Sequence, residues 1–310
     1  MRNYFCKIRF MTLLIASVGL SVSAFAQVSA SGLNWQAIKG SGDDFYVYFP
    51  EGFTTALDGG YSVGRNNGTP TTVERSIIVF RYIGGVALLM EYYEGDASEI
   101  QASTKLTKNI KTTSQRSIGD FKIAEVSDTS KPQVFAKIQH YRAKNRLYVL
   151  KSTKSPEENE IAKGFFESVR LSDKGQLLAP NFKGEDLTKV FLPEILHKDT
   201  AANAVAALEE KDVDAVPVPV HMGRLNLAYK DRPMDGTKRE QIKVFCSAEG
   251  IVEKTEVIKA DNPGLGLAAE QAAKNSFFSP AMKNGAAVPV QKVLDFETTA
   301  IVIRALVRGQ

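Results

Sequence analysis

The sequence predicts an α+β protein of two domains, and three observations carry that expectation. Strand-like runs fill the first half: "DFYVYFP", "RSIIVFRYIGGVALLMEYYE" and "VFAKIQHYRAKNRLYVLKST". Helix-like stretches accompany them, "ASEIQASTKLTKNIKTT" and "SPEENEIAKGFFESVRL". The last third has a pattern of its own: two alternating runs, an alanine-rich amphipathic stretch, then a third run. Helices set against strands in this way imply layers of helix on sheet.

The first element is not part of the fold. Arg2, Lys7 and Arg9 lead into the apolar run "FMTLLIASVGL", which exits through the small residues "SVSAFAQ". This is the layout of a secretory signal peptide, cleaved after Ala26. The apolar core is shorter than the roughly 20 residues that span a bilayer, and no later segment is long and apolar enough to do so. Removing residues 1–26 takes three basic residues from the chain's 39 and leaves 36 against 35 acidic, a net of +1. A nearly neutral surface of mixed charge argues against nucleic acid as the partner. One cysteine remains, Cys246, so no disulfide forms within the mature chain. It alternates with Ile242 and Val244 and reads as a small core side chain.

About 284 residues remain of 310, enough for two domains. Residues 27–172 are expected to form an α+β domain. Gly84-Gly85 divides its longest apolar run into a hairpin. Ser155 is placed to cap the helix of "SPEENEIAKGFFESVRL", with Pro156 at its first position and Ile161, Phe165, Phe166 and Val169 as its buried stripe. Residues 173–220 read as a linker. It holds a short helix over "DTAANAVAALEEKD" and an extended strut, "VDAVPVPVHMG", in which Pro217 and Pro219 forbid helix. Residues 221–310 are expected to run β-β-α-β. "REQIKVFCSAEGIVEKTEVIKA" turns at Gly250, "PGLGLAAEQAAKNSFF" is helical, and Pro280 ends it. Lys283-Asn284-Gly285 turns into a third strand made of Val288, Val290 and Val293–Phe296, and "TTAIVIRALVRGQ" supplies an extra strand.

The first domain resembles the PsbP-like or Mog1-like family over residues 35–172, on "FYVYFPEGF" and "NRLYVLKSTKSPEENEIAKGFFESVRL". The resemblance implies an α/β/α sandwich and no particular activity. The last domain resembles the C-terminal domain of the TonB energy-transducer family over residues 221–300. Gly250 stands at its hairpin turn and Gly266-Leu267 at its helix entry. Phe278, Pro280 and Ala281 match its "F-x-P-A", Asn284-Gly285 its second turn and Phe296 its closing aromatic. The resemblance implies a periplasmic module that pairs a sheet edge with a segment of another protein. The chain departs from the transducers in three places. Its apolar leader has no histidine, no Glu-Pro/Lys-Pro spacer follows, and "RPMDGTKRE" stands where Pro-x-Tyr is common. Binding rather than energy coupling is what the resemblance leaves.

Motifs for chemistry are sparse. His140, His197 and His221 have no partner at metal-ligand spacing. "EYYEGD" brings Glu91, Glu94 and Asp96 close without the order of a calcium loop. "GLGLAAE" is too short for a phosphate-binding turn. No catalytic residue, cofactor or metal is expected. The expected protein is therefore periplasmic or secreted, and it acts by binding another periplasmic or outer-membrane protein. Val288, Val290, Lys292, Leu294 and Phe296 form the candidate edge. The alternative keeps the last domain as a tether and gives the first a small molecule or polymer to bind or to act on; an ionisable pocket within residues 35–172 would favour it.

Overall fold

The computed structural model describes residues 32–40, 44–57, 61–66, 69–73, 75–95, 110–129, 134–173, 176–177, 189–191, 207–225 and 236–299. The leader and His197 lie outside the described residues; of the extra C-terminal strand expected over 298–310, Thr298 and Thr299 instead end the strand Val290–Thr299 and the rest lies outside them.

The architecture is β-rich, which corrects the predicted α+β class and its α/β/α sandwich. Among the described residues there are two α-helices, α1 (Glu160–Glu167) and α2 (Pro263–Lys274). In the first half, two sheets pack on one another. An antiparallel sheet of seven strands runs in the order Thr54–Leu57, Arg75–Ile83, Val86–Glu94, Arg146–Ser152, Lys137–Ala143, Phe121–Asp128 and Ile110–Ile118. A second sheet of five has Phe45–Pro50 at its centre, between Trp35–Lys39 and Arg170–Asp173.

The reason lies in the alternation. Val47 and Phe49 from the smaller sheet and Val79, Leu88, Met90 and Tyr148 from the larger one close a single core. Phe45 stacks on Tyr148 with ring centroids 3.9 Å apart. A second sheet thus fills the layer assigned to helices. The helix expected over 97–113 fails at its described end, because Ile110–Thr113 belong to the edge strand Ile110–Ile118. Helix α1 starts later than expected. Its cap is Asn159, whose side chain accepts from the Ile161 and Ala162 amides, while Ser155 closes the preceding turn with its carbonyl. Ile161, Phe165, Phe166 and Val169 are all buried.

The linker segment crosses the outer face of the seven-stranded sheet. Of "DTAANAVAALEEKD", the described end is not α-helix: Leu208–Glu209 is a strand and Glu210–Asp212 a 3-10 turn. Pro219–His221 pairs with Phe277–Phe278. Val220 and Phe277 join Ala56, Ile78, Phe80, Ala87 and Leu89 in one apolar cluster, with Phe277 stacked on Phe80 at 4.8 Å.

The last sheet runs Leu208–Glu209, Val290–Thr299, Thr237–Cys246, Val252–Lys259, with α2 over one face. Asn262 caps α2 by accepting from the Leu265 amide at 2.7 Å. The helix begins at Pro263, so Gly266 lies inside its first turns rather than at its entry. Leu267, which the resemblance put at the helix entry, is 69% exposed, while Leu265 is buried. Gly266 is still required for space, because a Cβ there would stand 2.8 Å from that of Ala260.

Gly250 turns the hairpin at φ +82, where a Cβ would lie 2.0 Å from the Phe278 carbonyl oxygen. Gly250→Ala should therefore cost more than the about 1–3 kcal/mol of the backbone conformation alone, read from urea melts. A loss under about 0.5 kcal/mol would show that the turn is not fixed as described. Among the described residues, no helix is long and apolar enough to cross a membrane.

Candidate functional site

The expected partner-binding residues divide on inspection. Val290, Lys292, Leu294 and Phe296 share one face of Val290–Thr299, and that face looks inward. Val290 and Leu294 are buried beneath α2, and Phe296 packs against the same cluster. Lys292 forms an ion pair with Glu210. Val288 stands apart: it belongs to a short hairpin, Ala281–Lys283 with Ala286–Val288, which Pro289 separates from the long strand. Asn284 and Gly285 turn that hairpin at φ 51 and 76, as a two-residue primed turn requires. The Asn284 amide also donates to Asp214 Oδ2 at 2.6 Å. Pro280 is buried at its base, and Phe278 is fully buried beside it. These side chains build the module.

The backbone of the long strand is unevenly used among the described residues. Val290–Thr299 pairs along its whole length with Thr237–Cys246, without a register shift. On its outer side, among the described residues, only Leu208 and Glu209 pair with it, opposite Val290 and Gln291 and running parallel. The opposite edge of the sheet, Val252–Lys259, is distorted by two register shifts. The face away from α2 pairs its own polar side chains: Arg239 with Glu297 at 3.2 Å and Lys254 with Glu256 at 2.6 Å as ion pairs, and the Gln241 amide donating to Asp295 at 2.8 Å.

A second cluster lies where the linker crosses the seven-stranded sheet. Lys151 Nζ donates to Glu91 Oε1 at 2.7 Å, and Tyr93 Oη donates to Glu91 Oε2 at 3.1 Å. His221 Nδ1 stands 3.5 Å from Glu91 Oε1. Burial opposes the charged form of Glu91, yet Lys151 and His221 outweigh it and hold the carboxyl below the usual carboxylate range. Sequence reasoning left this cluster unread, because it grouped Glu91 with Glu94. The two alternate to opposite faces, and Glu94 instead accepts from Tyr92 Oη at 2.8 Å. Asp96 lies outside the described residues.

His140 is close enough to feel the same charges. Burial, then Lys151, lowers its imidazole to about 4, against the pull of Glu91. Between pH 6.5 and 4 the unfolded chain takes up this proton and the folded chain does not. Stability should therefore fall with pH through that window and not regain it below. His140→Gln should flatten the fall by on the order of 2–3 kcal/mol, measured as urea unfolding free energy at pH 7 and 4.5. Parallel curves for the two proteins would show that His140 titrates normally.

Cys246 is a buried core residue whose thiol burial pushes up to about 12, which suits packing and not nucleophilic chemistry. Among the described residues, no three His, Cys, Asp or Glu side chains are placed to hold a metal ion. The class these features define is a β-rich chain with a helix-backed C-terminal sheet and one regular edge that, among the described residues, only Leu208–Glu209 joins. Comparison with protein families, with curated proteins and with solved structures found no match.

Proposed function

We propose that this is an exported, non-catalytic binding or adaptor protein. Its C-terminal sheet takes up an extended segment of another periplasmic or outer-membrane protein along the outer side of Val290–Thr299. The observation that carries this reading is the pairing of that edge. It already accepts a parallel segment, Leu208–Glu209, and the described residues pair with it no further than Gln291. Among the described residues, none pairs with the outward-facing backbone groups from Lys292 onward, which is where an added strand would lie. Regularity favours this edge over Val252–Lys259, whose bulges disturb strand addition. The self-paired polar side chains on the face away from α2 favour the edge over the face.

A photo-reactive phenylalanine analogue at Val293, which is 41% exposed, tests the reading in intact cells. The expected result is one discrete adduct, identified by mass spectrometry and absent when the analogue replaces Ile258 on the opposite edge. The same adducts from both positions, or none from Val293, would overturn it.

The alternative, a ligand-binding first half, is favoured by one observation, a groove lined by ionisable groups within residues 116–171.

A further inference from the structure

The seven-stranded sheet is wider than the five-stranded sheet packed on it, and α1 bridges part of the overhang. Beyond the smaller sheet, the inward faces of Ile110–Ile118, Phe121–Asp128 and Lys137–Ala143 look across at α1 and at Val169–Leu171. A groove of about 580 Å³ remains between them, within the roughly 300–1,000 Å³ of small-molecule sites. Its floor is apolar: Ile118, Ile123, Phe166, Val169 and Leu171. Polar groups on the floor satisfy one another, since Tyr141 Oη donates to Gln139 Oε1 at 2.6 Å.

The rim is cationic. Arg116, Lys137, Lys163 and Arg170 line the groove against one carboxylate, Glu167. Two of the four are engaged. Lys137 pairs with Glu125 at 2.9 Å and lies over the Phe166 ring. Arg170 donates to the Glu167 and Val169 carbonyl oxygens. Arg116 and Lys163 are exposed, and no ion pair among the described residues engages either. Cations that make no ion pair among the described residues, at the rim of a groove with an apolar lining, suit a molecule with an apolar body and one anionic head.

We infer that this groove binds a monoanionic amphiphile, its chain against Ile118, Ile123 and Phe166 and its head group between Arg116 and Lys163. The inference is independent of the edge-strand reading, and crosslinking at Val293 does not report on it.

Calorimetric titration of the mature chain with sodium decanoate below its micellar concentration tests it. Decyltrimethylammonium, with the same chain and the opposite charge, is the control. Decanoate should bind one to one, at least tenfold more tightly than the cation. The double variant Arg116→Glu/Lys163→Glu should weaken decanoate binding at least tenfold. Both positions are exposed, and an unchanged melting curve would confirm the fold. Equal affinity for the two amphiphiles, equal affinity of variant and wild type, or no decanoate binding below 1 mM would each overturn the assignment. Sedimentation with phosphatidylglycerol vesicles separates the sources of such a head group. Vesicle binding that the double variant loses, alongside decanoate binding, assigns a membrane lipid. Decanoate binding without vesicle binding assigns a free amphiphile. Vesicle binding without decanoate binding overturns the groove as the site.

Discussion

Phe278→Ala should destabilise the C-terminal sheet by about 3–5 kcal/mol, the loss typical of a buried phenylalanine cut back to its Cβ. Phe278 has no exposed surface. It sits under α2 among Ile242, Val244, Ala269, Ala273, Ala281, Val290 and Leu294. Its helix-side neighbours are alanines, too short to fill the hole that the ring would leave, so a cavity term adds to the transfer term. Its amide donates to the Gly250 carbonyl at 2.9 Å, which fixes the ring against the hairpin and limits relaxation. The adjacent Phe277 is the informative control. Its ring turns the other way, onto Phe80, so Phe277→Ala should loosen the packing between the last sheet and the seven-stranded sheet while leaving the core beneath α2 in place. The measurement is urea unfolding followed by circular dichroism and by a probe within the last sheet. A loss under about 1 kcal/mol for Phe278→Ala, with unchanged slope, would mean that this ring is not core.

The second large effect is expected at Glu91. Glu91→Ala leaves the Lys151 ammonium and the His221 ring buried without their carboxylate, and removing one partner of a buried pair costs about 3–5 kcal/mol. The double replacement Glu91→Met/Lys151→Met should recover most of that loss, because the cost comes from the stranded charge more than from the missing pair. The pH dependence has a definite sign. The folded-state carboxyl of Glu91 is held below its usual range. Its stabilisation is complete above the ordinary carboxylate pKa of about 4.3 and is lost as pH falls toward the lowered value. Acid titration of stability below pH 4.5 should therefore be shallower in Glu91→Ala than in the wild type. Identical acid limbs, or a loss below 1 kcal/mol in the single variant, would remove the pair from the account.

Sequence reasoning reached the local features and missed how they assemble. Turns are legible because their chemistry is local. Gly250 and Asn284-Gly285 stand where the chain needs positive φ, and few other residues tolerate it. The stripe of α1 is legible for the same reason, since Ile161, Phe165 and Phe166 repeat at helical spacing. The first-half fold class was misread because alternation shows that a strand has an apolar face but not what covers it. A second sheet and a layer of helices bury the same side chains equally well. Ser155 and Asn159 are both good caps, and the turn closed by the Ser155 carbonyl, which lies outside periodicity, decided between them.

The sequence by itself determined the turns at Gly250 and Asn284-Gly285, the apolar stripe of α1, and that Cys246 packs inside. Each is a property of a few neighbouring residues. Only the tertiary structure decided three further things. It set Glu91 beside Lys151, 60 residues away along the chain, and beside His221 of the linker. It laid Leu208–Glu209 along the edge of Val290–Thr299. It set Arg116 and Lys163, which are distant in the chain, along one groove with Ile118, Ile123 and Phe166. The physical reason is common to all three. Each depends on strand order and on the relative width of packed sheets, which are set by long-range pairing across many residues and leave no periodic trace in any one segment.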